Sequence, residues 1–259
     1  VHVPPRGVVG RPLCRLSAAV FPDAGQATPQ LGAVAPERRL AELDEVLATG
    51  RGPAARALAR LEEWGALSAL LPYVGATQRT PGIALVARAK EGSTAALLRA
   101  LLLTPAGAGP AALALETLRA SRRDRRLADA LLRLPRPPRA PSRRDAVLLL
   151  RRTAPFSREA IAYVAAAHGR PGERLAREAG RLLASRGALG RILRPRRPLS
   201  AEEVARLAGA AGPELGRALA RLDEALATGE VRGRQEARLL LAGRPRTSTA
   251  AGRVRRPPV

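Results

Sequence analysis

Few residues of this chain have the types and spacing that catalysis requires. The two histidines, His2 and His168, are far apart and have no cysteine or carboxylate neighbour at the spacing of metal ligands. The single cysteine, Cys14, has no evident base beside it, and Ser200 is better placed to cap a helix than to act as a nucleophile. No glycine-rich loop follows a strand pattern, so no loop that cradles phosphates is indicated. We therefore predict no catalytic residue and no metal site.

What the sequence does supply in abundance is arginine. The chain of 259 residues has 45 basic and 22 acidic residues, a formal net charge of +23, and Lys90 is its only lysine. This excess of positive charge favours a polyanionic partner, most naturally nucleic acid. Enrichment in Arg, Ala, Gly and Pro also arises by codon drift in a GC-rich genome, which is an alternative origin for part of the charge. Only 2% of the residues are aromatic, so we do not expect the chain to stack on splayed bases. We expect it instead to contact the phosphates and 2′-hydroxyls of a folded RNA.

Residues 198–241 have the clearest helical pattern. Ser200 and Glu203 form the capping box that begins a helix, and the glycine- and alanine-rich residues 209–212 end it. Pro213 then begins a second helix, which carries a leucine stripe and ends at Gly229, and a third short helix is predicted over residues 235–241. Capped helix, turn and striped helix also describe a helix-turn-helix, which would place the second helix in the major groove of DNA.

The same stretch resembles the C-terminal tail of CCA-adding tRNA nucleotidyltransferases and bacterial poly(A) polymerases. That tail runs roughly P-L-x-G-x-D-L, P-G-P-x-[IL]-G and G-x-[VI]-x-[TS]-x-E-E-A. This chain has PLSAEEV from Pro198, GPELG from Gly212 and GEVRGRQEA from Gly229. It departs from the family pattern at several positions, and among them the family's glycine, aspartate and first proline are replaced by Ala201, Glu203 and Ala211.

Segments nearer the N-terminus are similar to the neck of the same family. PERRLAEL from Pro36 is similar to its E-R-[IL]-x-x-E-L motif, and ALARLEEWGALSALLP from Ala57 is similar to its a-L-x-x-L-x-x-x-G-[LV]-L-x-x-L-[LF]-P pattern. RPLCRLSAAVF from Arg11 resembles, without the charged positions, the D-P-L-R-L-L-R-A-x-R-F motif that joins head to neck. Neck and tail motifs in the family's order favour this family over an isolated helix-turn-helix DNA-binding protein, which stays the alternative.

The resemblance implies an RNA-binding protein that grips the acceptor and T arms of tRNA by shape. An active family member also has a catalytic head with metal-binding carboxylates at D-x-D spacing, and no D-x-D occurs in this chain. The R-R-D triplets at residues 122–124 and 143–145 match a triplet of that head, but they lie at predicted helix starts in an arginine-rich region. We therefore expect no activity from the chain alone. Mg²⁺ and CTP or ATP would belong to the missing head, and a separate catalytic head would be a second partner besides tRNA.

Resemblance and charge together indicate which arginines contact RNA. Two are in the neck, Arg38 and Arg39. Seven are in or just before the tail: Arg194, Arg196, Arg197, Arg217, Arg221, Arg232 and Arg234.

The composition also predicts the fold class. Ala and Leu favour helices, and the β-branched and aromatic residues that favour strands are scarce. We predict an all-α protein, a bent array of short helices. Residues 1–35 are expected to be a degraded or disordered head-neck junction, 36–72 the neck helices, 73–197 a helical body with a proline-rich linker near 135–141, 198–243 the helical tail and 244–259 a disordered end.

Within the body, residues 72–82 are predicted to be a loop, residues 84–103 one helix and residues 122–126 the basic start of another. A further helix is predicted over residues 142–152, with Ser142 as its cap and Asp145 as the partner of that cap. No stretch approaches the roughly 20 apolar residues of a membrane span, and the N-terminus lacks the apolar core of a signal peptide. We therefore expect a cytoplasmic protein without a membrane partner.

Overall fold

The computed structural model of the chain describes residues 34–185 and 187–242. These residues are all-α, with fourteen α-helices and no strand. The chain divides into two compact units, Val1–Gly180 and Arg181–Val259. The predictions for the head-neck junction before residue 34 and for the end beyond residue 242 lie outside the described residues.

The first unit is built from ten helices, the last of which continues into the second unit. The first five are α1 (Pro36–Ala48), α2 (Arg51–Glu63), α3 (Ala66–Leu70), α4 (Ala76–Ala87) and α5 (Ala95–Leu103). After a 3₁₀ turn at Thr104–Ala106 follow α6 (Ala108–Thr117), α7 (Arg122–Leu132), α8 (Arg143–Thr153), α9 (Ser157–Ala167) and α10 (Gly169–Ala184).

Helix α5 is the centre of the first unit. Thr94 caps it by accepting a hydrogen bond from the Leu97 N–H at 3.3 Å, and every residue from Leu97 to Leu103 is buried. Apart from Arg99 this run is apolar around its whole circumference, so the helix has to be covered on all sides. Helices α1, α4, α7 and α9 pack against it.

The loop predicted over residues 72–82 is wrong, because α4 begins at Ala76 and includes Pro81. The Gln78 side chain accepts a hydrogen bond from the Gly75 N–H at 3.0 Å and so caps the new helix. The buried Arg79 guanidinium binds both carboxylate oxygens of Glu62 on α2, at 2.6 and 2.9 Å. Tertiary contacts therefore hold a segment whose proline and glycine content is typical of a loop.

The single helix predicted over residues 84–103 is also wrong. The chain leaves the helical path after Ala87 and starts again at Ala95. Gly92 lies between them with φ +75°, a left-handed conformation that favours glycine, and Thr94 then caps α5. A glycine turn and a new cap outweigh the continuous helix propensity of the surrounding residues.

The proline-rich residues 135–141 are non-helical, as predicted, and connect α7 to α8 within the first unit. The cap predicted at Ser142 is confirmed, since its hydroxyl accepts from the Asp145 N–H at 3.3 Å. The Ser142 N–H in turn donates to the Asp145 carboxylate at 2.7 Å. The division between the two units lies within α10, beyond this stretch.

The second unit continues with α11 (Ala188–Leu193), α12 (Ala201–Ala208), α13 (Gly212–Thr228) and α14 (Arg234–Leu241). The predicted capping box is present: the Ser200 hydroxyl accepts from the Glu203 N–H at 3.2 Å, and the Ser200 N–H donates to Glu203 at 3.0 Å. Gly229, with φ +78°, ends α13 as predicted. The buried core of the last three helices consists of Leu199, Val204, Leu222, Ala225, Val231 and Ala237.

None of the helices in the described part of the chain is long and apolar enough to cross a membrane.

One charged side chain lies within the buried helix α5. Arg99 has only 3% of its surface exposed, and its Nε lies 3.3 Å from a carboxylate oxygen of Asp44 on α1. Its Nη2 donates to Asp124 on α7 at 3.0 Å. Burial raises the pKa of Asp44, and the positive charge of Arg99 opposes that rise. The guanidinium thus connects three helices through two carboxylates.

We expect removal of both carboxylates, in Asp44→Ala/Asp124→Ala, to lower the free energy of unfolding by about 3–5 kcal/mol, because a buried guanidinium is left without a counter-charge. Denaturant titration measures the loss. The matched control is Arg133→Gln, which breaks an exposed ion pair with Asp129. It should not measurably change the free energy of unfolding. A loss no larger than that of the control would contradict this role for Arg99.

Helices α4 and α5 approach each other at Gly82. A Cβ at this position would lie 2.1 Å from the carbonyl oxygen of Leu102, so Gly82→Ala must push the helices apart. We expect it to cost about 1–3 kcal/mol of stability. Gly180→Ala is the control, because a Cβ there meets nothing within 4 Å and alanine should stabilise the helix by about 0.5–1 kcal/mol. Equal effects of the two substitutions would show that the close approach does not matter.

Candidate nucleic-acid interface

The seven predicted arginines in or before the tail all lie on the surface of the second unit. Two of them hold this unit together. Arg197 binds both carboxylate oxygens of Asp223 on α13, at 2.6 and 2.7 Å, and this pairing raises the pKa of Arg197. Arg234 donates to Glu203 and to the carbonyl oxygen of Pro198, which connects α14 to the start of α12. These two guanidiniums are therefore already occupied.

A third tail arginine, Arg217, lies 3.3 Å from Glu214 one turn away on α13, and both side chains are well exposed. An exposed pair of this kind contributes little stability and is easily exchanged for another anion. Within the described residues, the side chains of the other four have no carboxylate partner and are exposed to solvent: Arg194, Arg196, Arg221 and Arg232.

The two neck arginines have different surroundings. Arg38 is exposed and lies 3.8 Å from Glu42, one turn further along α1. Arg39 is half-buried and donates to the carbonyl oxygen of Ala69 at 3.2 Å, which links α1 to α3. Of this pair, Arg38 is the one presented to solvent.

A second group of arginines, which was not among the predicted contacts, lies in the first unit. Arg122, Arg123 and Arg126 at the start of α7 line an open cleft of about 520 Å³, together with Pro155, Phe156 and Glu159. All three guanidiniums are exposed. The sequence predicts residues 122–126 as the basic start of a helix, and their excess of positive charge is the feature of the sequence that indicates an anion-binding cleft here.

The R-R-D triplets have structural roles in this fold. Asp124 is paired with the buried Arg99, and Asp145 belongs to the cap of α8. Neither aspartate is part of a cluster that could hold a metal, and no group of three or more His, Cys, Asp or Glu in the described residues could do so.

His168 follows the last residue of α9, and its ring lies edge-on to Tyr163 with centroids 6.2 Å apart. Burial, followed by the positive charges of Arg136 and Arg88, lowers the pKa of His168. Its Nε2 has no hydrogen-bond partner among the described residues. Burial and the two nearby positive charges therefore disfavour the protonated imidazole.

Comparison with known proteins adds no relative. No protein-family model, no curated protein and no solved structure matches the chain.

The lowered pKa of His168 predicts a pH dependence of stability. The unfolded chain takes up a proton near the ordinary pKa of about 6.5, whereas the folded chain resists it. The stabilisation is therefore complete above that pH and is lost as the pH falls below it. We expect the denaturant concentration at the midpoint of unfolding to decrease when the pH is lowered from about 7.5 to about 5.5. In the His168→Gln variant this decrease should be smaller. His2→Gln serves as the control for loss of a histidine, and an unchanged slope in His168→Gln would contradict the assignment.

Proposed function

We propose that this chain is an RNA-binding protein of the tRNA nucleotidyltransferase and poly(A) polymerase type, corresponding to neck, body and tail, and that it binds folded tRNA. The observation that carries the proposal is the set of four exposed arginines of the second unit that have no carboxylate partner within the described residues: Arg194, Arg196, Arg221 and Arg232. Guanidinium groups without an internal counter-charge are suited to phosphate oxygens, which accept two hydrogen bonds from one guanidinium.

The structural roles of the motif residues support this proposal. In the tail, Gly229 has the left-handed conformation that ends α13. In the neck, Gly65 has φ +71° between α2 and α3, and the leucines that follow it, Leu67, Leu70 and Leu71, are buried. Each of these motif positions has a role in the fold that explains its residue type.

The proposed contact is made to the RNA backbone. Phosphate contacts fix the position of a protein on a nucleic acid without reading its sequence, and folded RNA is recognised mainly through its shape, phosphates and 2′-hydroxyls. Exposed arginines on short helices provide donors for all of these groups. Catalysis would require a separate head with its own Mg²⁺ and CTP or ATP, so the chain alone should add no nucleotide to tRNA.

A helix-turn-helix DNA-binding protein is the second candidate. The observation in its favour is the position of Arg217 and Arg221, which are exposed one turn apart on α13, the helix that would enter the major groove. This candidate predicts a dimer with a preference for duplex DNA.

A binding titration separates the two candidates. We expect the chain to bind folded tRNA more tightly than duplex DNA of equal charge at both of two salt concentrations. Both affinities should weaken with salt, because phosphate contacts release counterions. Equal binding, or a preference for DNA, would favour the helix-turn-helix candidate. Incorporation of labelled CTP or ATP into tRNA by the chain alone would contradict the absence of a catalytic head.

The four arginines can be tested in the same assay. The variant Arg194→Gln/Arg196→Gln/Arg221→Gln/Arg232→Gln should lose about tenfold or more in tRNA affinity and have a shallower salt dependence, by roughly 3 in the log–log slope. The control removes the same charge from exposed arginines of the first unit, in Arg56→Gln/Arg60→Gln/Arg174→Gln/Arg177→Gln. If both variants lose affinity equally, net charge rather than the tail surface determines binding.

A further inference from the structure

The start of α7 has a charge distribution that opposes helix formation. Arginines occupy positions 122, 123, 125 and 126, where the positive end of the helix dipole repels cations. Arg122 and Arg126 are also one turn apart on the same face, and like charges at this spacing destabilise a helix. Residues that break a local rule in this way are expected at functional sites.

The one acidic residue of this turn does not neutralise them. The Asp124 carboxylate accepts a hydrogen bond from the Arg99 guanidinium, whose side chain has only 4% of its surface exposed. Asp124 is therefore paired with the buried Arg99, and no ion pair joins it to Arg122, Arg123 or Arg126 within the described residues. Arg125 lies on another face of α7, where a smaller pocket also contains Asp129. Arg122, Arg123 and Arg126 remain together in the open cleft.

The opposite wall of this cleft adds little negative charge. It consists of Pro155 and Phe156, which precede α9, and of Glu159 in the first turn of α9. Within the described residues no ion pair joins Glu159 to the three arginines. The cleft therefore presents three guanidiniums and one carboxylate around an apolar edge formed by a partly exposed phenyl ring.

The chemistry of the cleft matches a polyanion with an apolar component. Arginines only donate hydrogen bonds, and their planar groups fit the oxygens of phosphates. Pockets for small molecules are mostly apolar and enclose most of the ligand, whereas this cleft is open and lined by charge. A nucleic-acid strand supplies phosphates for the guanidiniums and a ribose or base for the Phe156 ring.

We propose that this cleft is a second RNA-binding site of the chain, in which Arg122, Arg123 and Arg126 bind backbone phosphates of the RNA. The inference rests on the proposed function, because it adds a contact in the first unit to those proposed for the second. A bound phosphate also reduces the repulsion among the arginines, and its negative charge interacts favourably with the positive end of the α7 helix dipole.

The experiment uses the full chain and folded tRNA. The variant Arg122→Gln/Arg123→Gln/Arg126→Gln removes three charges from the cleft, and Arg60→Gln/Arg174→Gln/Arg177→Gln removes three from exposed positions elsewhere in the first unit. We expect the cleft variant to lose about tenfold in tRNA affinity and roughly 2 in the log–log salt slope, with a much smaller change in the control. Because the substitutions relieve repulsion, the melting temperature of the cleft variant should stay equal or rise.

A measurement on the unmodified protein is independent of the folding of any variant. Phenylglyoxal modifies accessible arginines, and mass spectrometry measures the rate at each residue. Saturating tRNA should slow the modification of Arg122, Arg123 and Arg126 several-fold and leave Arg60 and Arg174 unchanged.

The outcomes separate this inference from the proposed function. If the wild-type chain binds tRNA but the cleft variant behaves as the control does, or the cleft arginines are not protected, the cleft proposal alone is overturned. If the wild-type chain does not bind tRNA, both are overturned. Reduced affinity together with specific protection supports the cleft as an RNA-binding site.

Discussion

The burial of one guanidinium determines much of the first unit. Helix α5 is covered on all sides, and Arg99 within it has to find its counter-charges among the helices that cover it. Asp44 comes from α1 and Asp124 from α7, so the requirement that a buried charge be paired holds both helices against α5. Gly82 acts in the same region by sterics, because its lack of a Cβ lets α4 approach the backbone of α5. Charge pairing and close approach thus determine which helices surround the centre of this unit.

The same pairing separates the arginines into two kinds. Arg79, Arg99, Arg197 and Arg234 bind carboxylates that belong to other helices or segments, and they hold those parts of the chain together. Four exposed arginines of the second unit, Arg194, Arg196, Arg221 and Arg232, and the three arginines of the α7 cleft have no such partner within the described residues. A net charge of +23 does not distinguish these kinds, whereas the contacts of each guanidinium do. This distinction narrows the surface on which a polyanion would be sought.

The sequence predicts those features of the fold that depend on neighbouring residues. The boxes at Ser142 and Ser200 and the end of α13 at Gly229 are set by side chains within three residues or by a single glycine, and they were predicted correctly. The start of α4 within residues 72–82 depends on a partner outside the local pattern, Glu62 for Arg79, so local patterns misplaced it. The break between α4 and α5 has local signals, Gly92 and Thr94, which the helix propensity of the surrounding residues outweighed in the prediction. The α7 cleft was missed for the same reason as the start of α4. Its opposite wall is formed by Phe156 and Glu159, about thirty residues later in the chain. In the sequence, Asp124 is a neighbouring counter-charge for these arginines, whereas in the structure it pairs with Arg99.

The α7 cleft and the four exposed arginines of the second unit share one chemical property: all of their positive groups are guanidiniums. Lys90 is the only amine-bearing side chain in the chain. A guanidinium stays protonated at every pH at which a protein remains folded. Acetylation, which acts on lysine, has almost no target here. The positive surface is therefore permanent, and a polyanion bound to it would be released by competing anions or by salt rather than by a change in the charge of the protein.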